Sequence, residues 1–262
     1  MITAILLALF TFYCAIDQFS LTEIIYRPII AGPIFGAILG DVNAGLVFGG
    51  TFELAMVGNL PVGGAQPPNA VLGTAVGVMA SINLGLKPLE ALGFAFIFAV
   101  FGSYVVNLVF TLMSAVLVKA DKAAEEGNPA GIAQVNYISM FFLGTLFAII
   151  ALIPFFAGEA VKESLEAFKN EHEWFLVGLA AAGGMMRYVG FAILMKIMLA
   201  GDMWGIYFAG FAAAAVLGNV SATAGATLLL CAFIGTAIAI YDYTLNVKIK
   251  NSLGNGGMSD GI

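Results

Sequence analysis

Charged side chains are scarce in this sequence of 262 residues. Asp, Glu, Lys and Arg together make up 10% of it, against 61% hydrophobic residues, whereas an ordinary soluble protein is about a quarter charged. So little charge excludes a water-soluble globule, and the high apolar content excludes a disordered chain. The apolar runs are continuous rather than alternating, which excludes a transmembrane β-barrel and indicates a bundle of membrane helices.

Basic residues, histidine and cysteine are scarcer still. Ten Lys and Arg against sixteen Asp and Glu give a net charge of −6, which leaves no basic patch for nucleic acid. The single histidine, His172, stands in a polar run, and Cys14 and Cys231 lie in separate apolar segments. These counts argue against a metal cluster, a Cys-x-x-Cys motif and a Ser-His-Asp triad. We therefore expect no catalytic residue, no metal and no cofactor in this chain.

Nine apolar segments follow one another along the chain, separated by polar residues, glycine or proline. A helix that crosses a membrane needs about 20 apolar residues. Four of the later segments reach or approach that length and a fifth is marginal, whereas the first four are short or interrupted. The segments lie at about 1–16, 28–40, 42–60, 70–86, 89–118, 137–158, 174–198, 203–217 (the marginal one) and 223–241.

Half-length helices interrupted by glycine and proline are typical of re-entrant hairpins and broken helices that line a substrate cavity. The alternative is a set of ordinary tilted helices with loose glycine packing. We predict an all-α polytopic membrane protein with a single integral domain over 1–262. Within it we expect broken and re-entrant helices that handle substrate over 1–86, transmembrane helices over 89–243 and a polar cytoplasmic tail over 244–262.

Lysines follow three of the predicted spans. They are Lys119 and Lys122, then Lys196, then Lys248 and Lys250. If each later segment crosses the membrane once, the three sites share one face, which the positive-inside rule makes cytoplasmic. We therefore expect a cytoplasmic C-terminus. The loop 158–173 then faces outward, and its helical spacing of apolar residues predicts a helix along the interface.

The stretch from Gly49 to Gly73 carries the candidate binding residues. Glu53 stands within an apolar segment, where a carboxylate is costly unless it is paired, protonated or hydrated. Further along, Gln66 and Asn69 flank a Pro-Pro pair, and Asn59 is a weaker candidate. Amides and a carboxylate that converge on one cavity suit an uncharged, polyhydroxylated ligand, because sugar hydroxyls both donate and accept hydrogen bonds.

The same residues allow a purely structural interpretation. Glu53 can form a buried pair with Arg27, and the amides can satisfy backbone groups that the prolines leave unpaired. Arg187, inside segment 174–198, can neutralise Glu53, line the cavity or extend toward the membrane surface. These alternatives stay open at the level of the sequence.

Three stretches of the chain resemble a known family. They are RPIIAGPIFGAILGDVNAGLVFGGTFELAMVG from Arg27, ADKAAEEGN from Ala120 and VGLAAAGGMMRYVGFAILMKIM from Val177. Together they resemble the membrane IIC component of the mannose/fructose/sorbose family of sugar phosphotransferase systems (PTS), and the resemblance covers nearly the whole chain. The variant GAQPPN, from Gly64 to Asn69, looks most like the branch that handles N-acetylgalactosamine or galactosamine.

The resemblance implies group translocation of a neutral hexose or N-acetylhexosamine across the bacterial inner membrane. In the family, IIC and a homologous IID subunit form a hetero-oligomer in the lipid bilayer and hold the sugar between a mobile broken-helix domain and a scaffold. Soluble IIA and IIB carriers then phosphorylate the sugar on the cytoplasmic side. The resemblance makes this chain a permease subunit that is not an enzyme by itself, with Glu53, Gln66 and Asn69 in contact with the sugar.

Two other functions remain open from the sequence. An ion-coupled secondary sugar transporter would use Glu53 as its coupling site and would need no partner proteins. A structural or receptor-type membrane protein would use the glycine- and proline-rich region only for packing.

Overall fold

The chain is helical, without a strand, throughout the part that the computed structural model describes: residues 1–59, 66–201, 203–220 and 224–255. The predicted all-α architecture is thereby confirmed. Two compact units divide the chain, Met1–Ile197 and Met198–Ile262. The helices are α1 (Ile2–Ser20), α2 (Pro28–Leu39), α3 (Val42–Met56), α4 (Ala70–Asn83), α5 (Pro88–Glu125), α6 (Pro129–Glu171), α7 (Glu173–Met198), α8 (Trp204–Asn219) and α9 (Thr227–Asn255).

Five helices in the described ranges are long and apolar enough to cross a membrane. Their candidate spans are Ile2–Ser20, Pro88–Glu125, Pro129–Ala157, Val177–Met198 and Thr227–Lys250. By contrast, α2, α3, α4 and the predicted marginal segment, α8, have 12, 15, 14 and 16 residues, fewer than the roughly 20 that a crossing needs. The protein is thus a multi-pass membrane protein with short helices in its N-terminal third, as the sequence predicts.

The first helix corrects one expectation. The apolar segment 1–16 is predicted to be too short for a crossing, but α1 continues to Ser20 and reaches 19 residues. Asp17 and Gln18 interrupt the hydropathy without interrupting the helix, because hydrogen bonds compensate the buried carboxylate of Asp17. Apolar length therefore underestimates the helix.

Two neighbouring short helices, α2 and α3, form an antiparallel hairpin. Gly40 adopts φ +98° at the end of α2, a left-handed conformation that glycine tolerates without strain. The next residue begins α3, since Asp41 Oδ1 accepts a hydrogen bond from the backbone N–H of Ala44 at 2.9 Å. The sequence GDVNAG thus closes the hairpin in a single tight turn.

Glycines hold the two helices of this hairpin in backbone contact. A Cβ atom added to Gly32 would lie 2.6 Å from the carbonyl oxygen of Gly45 and 2.8 Å from Cα of Gly49. One at Gly36 would lie 2.5 Å from the carbonyl oxygen of Asp41. The four-residue spacing of Gly32 and Gly36, which lets two backbones approach closely, thus brings α2 against glycines of α3.

At the centre of the first unit lies α4, whose residues 70–80 are all buried. It contacts α1, α2, α3, α5 and α6. The ring of Phe52 fills the space beside Gly73, where a Cβ would come within 2.5 Å of Cζ, and Phe48 fills the space beside Gly77 in the same way. The spacing of Gly73 and Gly77 predicts that two backbones approach, but aromatic rings of α3 take that space.

The longest helices, α5 and α6, form a second hairpin that turns at Gly127, with φ +65°. They have 38 and 43 residues, or about 57 and 65 Å at 1.5 Å per residue, and so exceed the ~30 Å hydrocarbon core of a bilayer. The predicted helix over 158–173 is the continuation of α6 to Glu171 rather than a separate element. Hydropathy marks only the apolar middle of such a helix, because Ala, Glu, Lys and Leu extend it into water.

Candidate polar site at the ends of the short helices

Glu53, in the last turns of α3, forms a salt bridge with Arg27, the residue that precedes α2. Glu53 Oε1 accepts hydrogen bonds from Nε of Arg27 at 2.8 Å and from its Nη2. Its Oε2 accepts from the backbone N–H of Ile29 at 3.3 Å, one of the groups that the first turn of a helix leaves without an intrahelical partner. The Glu53 side chain is 17% exposed and the Arg27 side chain 50%. The pairing that the sequence leaves open is thus present.

Asn69 caps the central helix α4 and is 1% exposed. Its Oδ1 accepts from the backbone N–H of Leu72 at 3.0 Å, and its Nδ2 donates to Oε1 of Gln18 on α1 at 2.9 Å. Its own backbone N–H donates to the carbonyl oxygen of Ala99 on α5 at 2.7 Å. The residue therefore connects the start of α4 to α1 and α5, which is a structural role.

The other two predicted residues lie on either side of a segment outside the described residues. Asn59 follows the end of α3. Its backbone N–H donates a hydrogen bond to the carbonyl oxygen of Met56 at 2.9 Å, and its Nδ2 donates to the Met56 sulfur at 3.2 Å. Gln66 is half-buried in the extended stretch before α4. Pro61, Gly63 and Gly64, which stand between them in the sequence, lie outside the described residues.

A further carboxylate, that of Asp17, is buried at the end of α1. Asp17 is 0% exposed. Its Oδ1 accepts from the N–H and hydroxyl of Thr22 at 2.9 and 2.7 Å, and its Oδ2 accepts from the N–H groups of Ile25 and Tyr26 at 2.8 and 3.0 Å. Glu53 is singled out because it stands within an apolar segment, whereas Asp17 immediately follows one. Gln18, beside it, carries no such signal.

These contacts join five residues into a polar layer, defined here as Asp17, Gln18, Arg27, Glu53 and Asn69. Asp17 accepts a hydrogen bond from the backbone N–H of Tyr26. The next residue, Arg27, pairs with Glu53. Gln18, which follows Asp17 in α1, accepts a hydrogen bond from the side chain of Asn69. The end of α1, the start of α2, the end of α3 and the start of α4 therefore meet at one level of the first unit. Two of the four predicted residues, Glu53 and Asn69, are linked through this layer.

Two surface cavities in the described part of the chain are lined by no residue of the polar layer. One, of about 610 Å³, lies on α6 beside Tyr137, Ile138 and Phe141, and the other, of about 260 Å³, lies between α1, α5 and α6. A hollow shared by Glu53, Gln66 and Asn69 stays a prediction. The side chain of Arg187 also lies outside the described part. Its helix α7 approaches the end of α3, since a Cβ at Gly190 would lie 2.7 Å from the carbonyl oxygen of Ala55.

Comparisons with known proteins assign the chain to a family. The family model described as the PTS system sorbose-specific IIC component matches residues 1–241. The N-acetylgalactosamine permease IIC component 1 of Escherichia coli K12 is 30% identical over 93% of this chain and 88% of its own length. The sorbose-specific EIIC component of Klebsiella pneumoniae is 31% identical over 94% and 91%.

Solved structures agree with this assignment. A chain described only as a membrane protein superimposes with a TM-score of 0.83 at 27% identity, covering 95% of this chain and 98% of that one. A chain of the cryo-EM complex of the mannose transporter ManYZ with microcin E492 matches with a TM-score of 0.58 at 26% identity, covering 92% and 94%. The chain belongs to the sorbose-type IIC family, and it is a membrane subunit of a PTS sugar transporter.

Proposed function

We propose that this subunit binds a neutral hexose or N-acetylhexosamine and moves it inward, where soluble IIB phosphorylates it with phosphate supplied by IIA. The family membership supports sugar transport, and the polar layer is the observation that carries the proposed site. Two polar pairs, Glu53 with Arg27 and Asn69 with Gln18, lie together with the buried Asp17 at the ends of α1 to α4, in a chain that is 61% hydrophobic. Polar groups at broken helices in the membrane typically mark a transport path.

The pair of Glu53 and Arg27 is suited to a neutral sugar. The two charges cancel, so a ligand that binds them need bring no charge of its own. The half-exposed guanidinium carries five N–H donors and the carboxylate four acceptor sites. A sugar hydroxyl that both donates and accepts can therefore bridge them. In this proposal Glu53 is the main sugar contact, with Gln66, Asn69 and Asn59 beside it, and the IID subunit completes the transporter.

The phosphoryl group is proposed to stay on the soluble partners. His172 stands at the junction of α6 and α7, at the opposite end of α6 from Pro129. A helix of 43 residues separates its ends by about 65 Å. If the α5–α6 turn faces the cytoplasm, the sole histidine of the chain lies on the far side, where a cytoplasmic phosphate donor does not reach it.

Ion coupling at Glu53 is less compatible with its surroundings. A coupling carboxylate must exchange a proton or a metal cation during each cycle. Glu53 is instead already neutralised by the permanently charged Arg27, which a coupling cation would have to replace, whereas a neutral hydroxyl would not. Uptake by this chain alone in vesicles, abolished by an uncoupler, would favour the secondary transporter.

The direct test is phosphoenolpyruvate-dependent phosphorylation of a sugar panel by the reconstituted subunits. The panel contains N-acetylgalactosamine, galactosamine, mannose, fructose and sorbose, and the matched control omits IIB. We expect phosphorylation of at least one sugar that requires this chain, IID and IIB together. Phosphorylation that proceeds without this chain, or of no sugar in the panel, would contradict the proposal.

The proposed orientation, in which α8 with its 16 residues also crosses the membrane, makes a separate prediction. In a variant with Cys14 and Cys231 replaced by alanine, single cysteines are placed at Ala124, Glu171 or Lys250, all exposed in the structure. A membrane-impermeant maleimide is expected to label the Glu171→Cys variant in intact cells, and the Ala124→Cys and Lys250→Cys variants only after permeabilisation. The reverse pattern would overturn the cytoplasmic assignment of the lysine-rich ends.

A further inference from the structure

The last turn of α1 holds an acidic residue whose position is unfavourable for the helix itself. The C-terminal end of a helix carries partial negative charge, so an acid there is destabilising unless other groups compensate it. Asp17 is also fully buried, which adds the cost of removing a carboxylate from water. Helix stability therefore gives no reason for an acid at this position, and the compensation must come from outside α1.

That compensation comes from the link between α1 and α2. The carboxylate of Asp17 accepts four hydrogen bonds, two from Thr22 and one each from the N–H groups of Ile25 and Tyr26. Within this link Glu23 adopts φ +57°, a left-handed conformation uncommon for a residue with a side chain. Asp17 thus imposes a specific fold on residues 22–26.

The conformation of this link fixes the backbone position of Arg27. The backbone of Tyr26 is bonded to Asp17, and the N–H of Arg27 donates to the carbonyl oxygen of Ile24 at 3.2 Å. From this anchored backbone the guanidinium reaches Glu53. Arg27 is half exposed and its long side chain has many rotamers, so a fixed starting point reduces the entropy lost when it pairs.

We propose that Asp17 is a positioning residue of the sugar site: through residues 22–26 it holds Arg27 against Glu53 in the geometry that a sugar hydroxyl bridges. The inference rests on the proposed role of Glu53 in sugar binding. Asp17 contacts no sugar itself in this account. Loss of its carboxylate loosens Arg27 and weakens sugar binding, while the transfer of phosphate at saturating sugar continues.

The test compares kinetics of sugar phosphorylation in the reconstituted complex. Asp17→Asn replaces one acceptor oxygen by a donor that faces N–H groups. We expect KM for the sugar to rise about tenfold, with the maximal rate within about twofold of wild type, because only binding geometry is lost. The matched control is Thr11→Val, which removes a buried hydroxyl bonded within α1 to the carbonyl oxygen of Leu7. It is expected to leave KM unchanged.

A second variant covers the case in which Asp17→Asn does not assemble. Thr22→Val removes one hydrogen bond to Asp17 from an exposed residue and keeps the backbone N–H bond. It is expected to raise KM by about twofold to threefold, the effect of one lost hydrogen bond. A wild-type KM in Thr22→Val when Asp17→Asn does not assemble, or in Asp17→Asn itself, overturns the inference.

A double-mutant cycle separates positioning from general destabilisation. In an Arg27→Gln background, Asp17→Asn is expected to raise KM by less than about twofold, because the group that it positions is already gone. Independent effects that multiply would show that Asp17 does not act through Arg27, and would overturn the inference. If the wild-type complex phosphorylates no sugar, the proposed function fails and takes the inference with it; an active wild type with an unchanged Asp17→Asn refutes the inference alone.

Discussion

Glu53→Ala is expected to abolish sugar-dependent phosphorylation while the variant still assembles with IID. The substitution removes both acceptor oxygens proposed for the sugar and leaves Arg27 unpaired near the end of α3. The guanidinium that remains is half exposed and offers only donors, so a sugar hydroxyl loses the acceptor side of the bridge. The measurement is phosphoenolpyruvate-dependent phosphorylation, with co-purification of the subunits as the assay of assembly.

The chain offers a matched control for this variant. Glu90, at the start of α5, is also a half-buried carboxylate that accepts a backbone N–H, that of Lys87 at 3.0 Å. Glu90→Ala removes a helix cap but no member of the polar layer, so it is expected to keep phosphorylation activity. Full activity in Glu53→Ala would remove this residue from the sugar site. Equal loss in both variants would indicate a general effect of removing carboxylates.

Gly32→Ala is expected to disrupt the α2–α3 hairpin. The added methyl group would lie 2.6 Å from the carbonyl oxygen of Gly45 and 2.8 Å from Cα of Gly49. Both neighbours are backbone atoms that no rotamer change can move, so the helices must separate, and overpacking of this kind costs about 1–3 kcal/mol. Folded yield in detergent and the thermal unfolding midpoint of the purified subunit should both fall.

Gly50→Ala serves as its control on the same hairpin. Its Cβ would meet only Cδ1 of Ile29, at 3.6 Å, an ordinary van der Waals contact. Because alanine favours a helix over glycine by up to about 1 kcal/mol, this variant should be neutral or slightly more stable. A wild-type midpoint in Gly32→Ala would show that the hairpin tolerates separation and that its glycine packing is not required.

Two of the observed helices extend beyond the ends of the apolar segments that predict them. The polar residues Asp17 and Gln18 end the apolar segment 1–16, yet α1 continues to Ser20. Likewise the charged residues after 118 end segment 89–118, yet α5 continues to Glu125. Hydropathy reports which residues prefer an apolar environment, whereas a helix ends where the backbone leaves the helical conformation. For α5 that happens just before Gly127, with φ +65°.

Glycine spacing predicts close packing without naming the neighbour. Gly32 and Gly73 each stand four residues from a second glycine, and the spacing gives both pairs the same interpretation. In the structure the first lies against backbone and the second against the ring of Phe52. The difference arises because α3 presents its own glycines on one face, toward α2, and phenylalanines on another, toward α4.

Composition and a long ordered motif were sufficient to determine that this protein is a helical membrane subunit of the sorbose-type IIC family. Neither feature depends on which distant residues of the chain contact one another. Only the tertiary structure decided which polar groups meet. Glu53 pairs with Arg27, 26 residues away, and Asn69 with Gln18, 51 residues away. Hydropathy places each residue in or beside an apolar segment, but its partner depends on how the helices rotate and cross, which the packing of α4 among its neighbours sets.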